Sequence, residues 1–183
     1  MPALPTLDGP TLRLRALRPD DATDVFDLYR DKEANRFGYQ PKMDSVDDAI
    51  ALVAQIAALA ETGSILHFGA AQRSDDRVIG HATLFAFQPK GARAEVGYSV
   101  HRDLWGKGVG TEILRVLVRH AFVDRGLRRL EADIDPRNVG SLRVLERNGF
   151  VREGYLRERW EIGGEIQDAV IFGLLRREWE AAS

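Results

Sequence analysis

The stretch WGKGVGT, from Trp105 to Thr111, carries three glycines within five residues and stands between EVGYSV and EILRVLV. Glycine loses more conformational freedom on folding than any other residue, so this density marks a place where the backbone itself has a task. The residues before the loop alternate like a strand. Those after it, Ile113, Leu114, Leu117, Ala121 and Phe122, recur at helical spacing as far as Gly126. A strand, a bare turn and a helix in that order make an anion site. The first amides of a helix have no internal partners, and the helix dipole adds positive potential there.

Two familiar phosphate loops fit this stretch poorly. A Walker A loop needs Ser or Thr directly after its Gly-Lys, but Gly108 follows Lys107. A dinucleotide fingerprint reads G-x-G-x-x-G and follows the first strand of a βαβ unit. Here the spacing is G-x-G-x-G, Thr111 comes next, and three hairpin-connected strands precede the loop. A tight turn without any ligand is the plain alternative.

The rest of the chain reads as one mixed α/β domain spanning residues 1–183, with a core over about residues 11–178. PTLRLRAL alternates with Leu12, Leu14 and Ala16 on one side. Pro19-Asp20-Asp21 opens a helix with Ala22, Val25, Phe26 and Tyr29 at helical spacing. Residues 33–44 have no period and form a long loop of the kind that often binds ligands. Ser45 and Asp48 form a capping pair ahead of an apolar stripe at Ile50, Val53, Ile56 and Leu59, which Gly63 ends. Three strands follow up to EVGYSV; after the loop and its helix come LRRLEADI, the short helix NVGSLRVLERNG, and a hairpin turning at Gly163-Gly164. The order is β-α-α-β-β-β-α-β-α-β-β.

Composition narrows the function. The 183 residues hold no cysteine, which removes disulfides, Cys-based zinc sites and a thiol intermediate on the enzyme. The four histidines are scattered singly with no metal spacing, so a metal is not expected and each reads as structural or surface. A net charge of −2 with basic residues interleaved among acids argues against direct nucleic-acid binding. No window approaches the roughly 18 apolar residues that span a bilayer, and MPALPTLDGP lacks the features of a signal peptide, so a cytoplasmic protein with no membrane partner is the expectation.

EVGYSV, WGKGVGTE and NVGSLRVLERNGF, in this order and about 30 residues apart, together resemble the GCN5-related N-acetyltransferase (GNAT) superfamily. The resemblance runs from the first strand to LLRREW and is nearest to the RimJ/RimL-like branch of ribosomal-protein N-terminal acetyltransferases. The superfamily loop has Arg or Gln, two residues, Gly, one residue, then Gly or Ala. Gly108 and Gly110 fill the small positions, and Trp105 stands where Arg or Gln would be, a departure common in that branch. The resemblance implies the acyl-CoA N-acyltransferase fold with splayed central strands. It also implies a loop, Trp105, Gly106, Lys107, Gly108, Val109, Gly110 and Thr111, that grips the pyrophosphate of acetyl-CoA.

Acetyl transfer to an amine requires a deprotonated amine, a polarised carbonyl, a protonated leaving thiolate and two substrates in contact. With no cysteine, direct attack in a ternary complex is the natural route. By resemblance, pantetheine lies against backbone amides around Tyr98, Ser99 and Val100. Glu95, in the same strand, is the candidate general base, acting through water, against the alternative of an exposed acid in a salt bridge. Ser141, three residues after Asn138, is similar in place to the residue that meets the departing sulfur. Both Asn138 and Ser141 are candidate coenzyme contacts or simply helix caps.

For the amine, the loop residues Phe37 and Tyr39 (with Arg36 and Gln40) and the hairpin residues Tyr155 and Trp160 (with Arg157 and Glu161) are the candidates. The favoured acceptor is the α-amine of a protein or peptide; a small-molecule amine, and a non-catalytic CoA-binding module, are the alternatives. Many relatives dimerise, and the Trp-bearing hairpin is the candidate patch for a homodimer.

Overall fold

The structure, a computed structural model, describes residues 4–38 and 43–182. In chain order its elements are β1 (Leu7–Asp8), β2 (Leu12–Arg15), α1 (Ala22–Arg30), α2 (Val46–Thr62), β3 (Leu66–Gln72), β4 (Val78–Gln88) and β5 (Arg93–Val100). There follow α3 (Val109–Arg119), β6 (Arg129–Ile134), α4 (Val139–Arg147), β7 (Val151–Ile162), β8 (Glu165–Leu175) and α5 (Arg176–Ala182). The anticipated order is present, with β1 and α5 added. Two residues cannot display a period, and α5 starts where β8 stops, with no glycine or proline between them to announce a boundary.

All eight strands form one sheet in the order β1-β2-β3-β4-β5-β6-β8-β7. Every neighbouring pair is antiparallel except β5 with β6. Along β5, Ala94 and Val96 are buried and Tyr98 and Val100 pack onto the main core with α3. Glu95, Gly97 and Ser99 take the other face by alternation. The sheet therefore separates two layers.

One layer is held by α3, whose Ile113, Leu114 and Leu117 meet Phe68, Phe172 and Leu145 in a fully buried cluster. Burying each such side chain stabilises the fold by roughly 1.5–3 kcal/mol. On the opposite face α1 and α2 pack together through Val25, Leu28, Tyr29, Ala49 and Val53. Ser45 and Asp48 cap α2 reciprocally, as their spacing predicts. Ala49 rather than Ile50 faces inward, and Ile50 stays half exposed, because the helix aligns its small residue with Val53 and Ile56.

The parallel pair sets up the site. β5 and β6 are in register only at Arg93↔Arg129, Ala94↔Leu130 and Glu95↔Glu131. Beyond that point β5 stays paired with β4 as far as Gly80↔Val100, and β6 with β8 as far as Ile134↔Val170. Each strand follows its outer neighbour, and a gap opens between them. The central strands are splayed, as the resemblance implies.

Candidate active site

Gly106 and Gly108 adopt φ of +74° and +84°, a left-handed backbone that costs other residues about 1–2 kcal/mol. A Cβ at either position would meet nothing within 4 Å, so what requires glycine is the turn and not a lack of room. Gly110 differs: it lies in the first turn of α3 with ordinary φ, and its Cβ position is 3.5 Å from Val100 and Val144. The first helical bond here runs from the Glu112 amide to the Gly108 carbonyl at 3.0 Å, leaving the amides of Val109, Gly110 and Thr111 pointing out of the helix end.

An open cavity of about 350 Å³ lies beside this turn, lined by Lys107, Thr111, Arg115 and Arg147 among others. Its one acid, Glu112, is engaged elsewhere. The Glu112 carboxylate accepts from the Thr11 amide at 2.7 Å, the Thr11 hydroxyl at 2.6 Å and the Leu12 amide at 3.1 Å. Helix end and cations thus face the cavity without a free carboxylate in competition, which suits a multiply charged phosphate ligand. Arg115 and Arg147 were not anticipated from sequence; they come from two different helices and share no local motif with the loop.

The Trp105 indole donates to the Val100 carbonyl at 2.9 Å, tying the loop to the end of β5. The His101 amide donates to the Ile79 carbonyl at 2.8 Å, so His101 faces β4. Strand alternation then turns the amides of Tyr98 and Val100 toward the gap, and that of Ser99 toward β4. Among the three strand residues anticipated from sequence, Tyr98 and Val100 therefore present open backbone to the gap and Ser99 does not.

Across the gap, the Asn138 side chain accepts from the Ser141 amide at 3.1 Å and caps α4. The Tyr98 hydroxyl donates to the Ser141 carbonyl at 3.3 Å, bridging β5 to this first turn. Burial pushes the Tyr98 phenol up to about 12, so it remains a neutral donor. The Ser141 hydroxyl also interacts with the Tyr98 phenol and is half-buried at the same end of the gap.

On the α1/α2 face, Glu95 stands at the vertex where the strands part, beside Glu131 and Asp133 of β6. Burial, then Asp133 and Glu131, push its carboxyl above the usual range. Its neighbours are neutralised. Glu131 pairs with Arg93 and, at 2.7 Å, with Arg129, while Arg159 reaches Asp133 at 3.1 Å. Glu95 has no ion pair or hydrogen bond among the described residues.

Phe37 lies between two guanidiniums, those of Arg36 and Arg137, each 5.4 Å from its ring centre. Arg137 also grips buried Asp135, at 2.9 Å and 2.6 Å, and pairs with Glu165, while Gln167 donates to the Arg36 carbonyl at 3.3 Å. The loop after α1 is thereby fastened to β6 and β8. Trp160 is opposite Gln167 and half exposed, with Arg159 over its ring at 4.8 Å. Tyr155 pairs with Val170 and bonds Asp168, which places it on the α4 side of the sheet, away from Phe37. Tyr39 and Gln40 lie outside the described residues. Among the described residues no group of three metal-binding side chains gathers, and no helix is long and apolar enough to cross a membrane.

A family model of the acetyltransferase (GNAT) domain matches residues 11–151. The probable N-acetyltransferase YjcK of Bacillus subtilis is 36% identical over 182 residues, covering 95% of this chain and 99% of that one. The [ribosomal protein uS5]-alanine N-acetyltransferase of Escherichia coli is 30% identical over 119 residues, covering 64% of this chain and 61% of that one. Among solved structures, Mycobacterium smegmatis RimJ in complex with CoA-disulfide superposes with a TM-score of 0.85 at 24% identity, covering 98% of this chain and 95% of that one. The chain belongs to the GNAT acetyltransferase family and is an N-acetyltransferase; the family's acyl donor is acetyl-CoA.

Proposed function

We propose that this N-acetyltransferase lays acetyl-CoA along the open edge of β5 and acetylates the α-amine of a protein or peptide that enters from the α1/α2 face. The observation that carries the reading is the parting of β5 and β6 directly after Glu95, which leaves backbone donors on one side of the gap and an unpaired carboxylate at its vertex. Acetyl-CoA supplies the activated acyl group. The helix-end amides of Val109, Gly110 and Thr111, with Lys107, Arg115 and Arg147, hold its phosphates, and the cavity lined by Val109, Thr111 and these three cations fits such a group in charge.

The amides of Tyr98 and Val100 bind the pantetheine arm as a neighbouring strand would, and the one nearest the thioester polarises its oxygen. Glu95 accepts the proton of the incoming ammonium through water, a task that its raised pKa favours. The Ser141 hydroxyl, beside the Tyr98 phenol, hydrogen-bonds the departing sulfur, and Asn138 keeps that helix end in place. Phe37 and Trp160 flank the entry for the residues behind the amine. The name borne by the uS5-alanine enzyme favours a protein N-terminus among the amines this site would accept.

The test is free-thiol release from acetyl-CoA with peptides beginning in Ser, Ala, Asp or Lys, and with polyamines and aminoglycosides. Release that requires a peptide α-amine is the expected result. Release with a polyamine or aminoglycoside alone would overturn the acceptor assignment and keep the donor site. A melting temperature that acetyl-CoA fails to raise would overturn the donor site itself.

A further inference from the structure

His81 is buried in β4, one strand away from the gap, and two hydroxyls share its Nδ1. The Ser99 hydroxyl lies at 2.8 Å and that of Tyr29, from α1, at 3.0 Å. The Tyr29 ring stacks on the imidazole at 5.5 Å between centres and 14° between planes. His67, from β3, lies against it at 4.9 Å, and Thr83 and Glu95 occupy the same face of the sheet. Tyr29, His67, His81 and Ser99 join four elements, and none of the four has a part in the roles assigned above.

The proton positions follow from burial. Tyr29 is held neutral, its phenol pushed far above the usual range, and His81 is its one hydrogen-bond partner among the described residues. A buried phenol must donate, so it donates to Nδ1. His81 is kept neutral by its own burial and by neighbouring His67, so its single proton sits on Nε2. Nδ1 is then an acceptor for Ser99 as well. With its proton turned inward, the Ser99 oxygen offers only lone pairs to the α1/α2 side of the gap, and Ser99 is partly exposed there.

We propose that Tyr29 and His81 are positioning residues that lock the Ser99 hydroxyl as a hydrogen-bond acceptor for an N–H of the incoming amine, four residues along β5 from Glu95 on the same face of the strand. This rests on the acceptor entering from the α1/α2 face. No bond is made or broken in the step: Ser99 fixes where the nitrogen sits, and Glu95 takes the proton. A free hydroxyl in that place could equally donate, and a protonated amine has nothing to accept with. Locking the proton inward removes the unproductive orientation before the substrate arrives.

Two measurements test it. In protein labelled with ¹⁵N-histidine, long-range ¹H–¹⁵N spectra read the His81 tautomer without any substrate. The expected result is an Nε2-protonated neutral ring; an Nδ1-protonated ring would overturn the proposal whatever amine the enzyme uses. The second is a double-mutant cycle on a Ser-initiated peptide. Ser99→Ala is expected to lower kcat/KM for the peptide by about tenfold, the worth of one hydrogen bond to a charged group. The rise in melting temperature given by acetyl-CoA should be unchanged, and Ser99→Thr should restore the rate. His81→Phe should cost a similar factor in the wild-type background and almost nothing more in Ser99→Ala, because it acts only through that hydroxyl. Losses that multiply, or a Ser99→Ala rate within about twofold of wild type, would overturn it. If His81→Phe does not fold, Ser99→Ala and the spectra still decide the matter. A wild-type enzyme inert toward the peptide would count against the α-amine acceptor alone, since the tautomer is read separately.

Discussion

On the α3/α4 flank of the gap, the proposed means of recognition are largely backbone: two glycines with positive φ, the amides of a helix end and the open edge of β5. On the α1/α2 flank they are side chains, including Glu95, Ser99, His81, Tyr29, Phe37 and Trp160, drawn from α1, β4, β5, β7 and a loop. A backbone site binds what nearly every family member must bind, and it tolerates change in the residues around it. A side-chain site can be rebuilt residue by residue while the fold stays the same. The difference accounts for a chain whose donor chemistry is plain and whose acceptor has to be found by experiment.

That contrast can be broken in several ways. The largest effect is expected from Glu95→Gln on the side-chain flank: kcat should fall by about 100-fold or more, as for loss of a general base. The wild-type rate should climb with pH as the carboxyl ionises, with the climb displaced above the usual carboxylate range because the Glu95 pKa is raised. The variant should lack that limb, and a profile identical to wild type would remove Glu95 from its role.

Next comes acid stability. Burial lowers the His67 pKa to about 4, against 6.5 for the free side chain. Because the folded value lies below the unfolded one, this contribution is complete above about pH 6.5 and is lost as pH falls toward 4. The loss should be about 2 kcal/mol, less than the whole shift gives, since only part of the residue is sealed from water. Urea unfolding of His67→Phe between these pH values should show a flatter dependence than wild type.

On the backbone flank, Gly108→Ala forces a side chain into a left-handed turn. KM for acetyl-CoA should rise about tenfold, equivalent to 1–2 kcal/mol, while the KM for the amine stays put. The smallest effect is assigned to Lys107→Ala. KM for acetyl-CoA should rise by about twofold to fivefold at low salt, and the difference should fade as salt screens the exposed charge. If Lys107→Ala cost more than Gly108→Ala, the donor flank would be a charge site and not a backbone site.

The same contrast explains what could be read from sequence. Glycine spacing, Asn138 with Ser141, and the alternation through EVGYSV are local, and they pointed to the fold and to the donor flank. The facing of the strand amides was harder: Ser99 looked equal to Tyr98 and Val100 until the His101–Ile79 bond showed which edge each takes. His81 was beyond reach. As one histidine in VIGHATLF it looks like any core histidine, and only the register His81↔Ser99 and the packing of α1 bring its partners to it. Arg137 and Phe37 meet for the same reason, 100 residues apart in the chain. Tyr155 was placed with the acceptor by resemblance to the family, and its register in β7 sets it on the opposite face.

The gap between β5 and β6 is closed at one end, where Glu95 still faces Glu131, and is flanked by different elements on its two sides. On the proposed reading, spent coenzyme and acetylated product would leave by separate sides, and neither would have to wait for the other. Strictly ordered departure imposes a queue on turnover; this shape imposes none. The pace of the cycle then belongs to whichever flank lets go more slowly, and that can change with every new acceptor while the donor flank stays as it is.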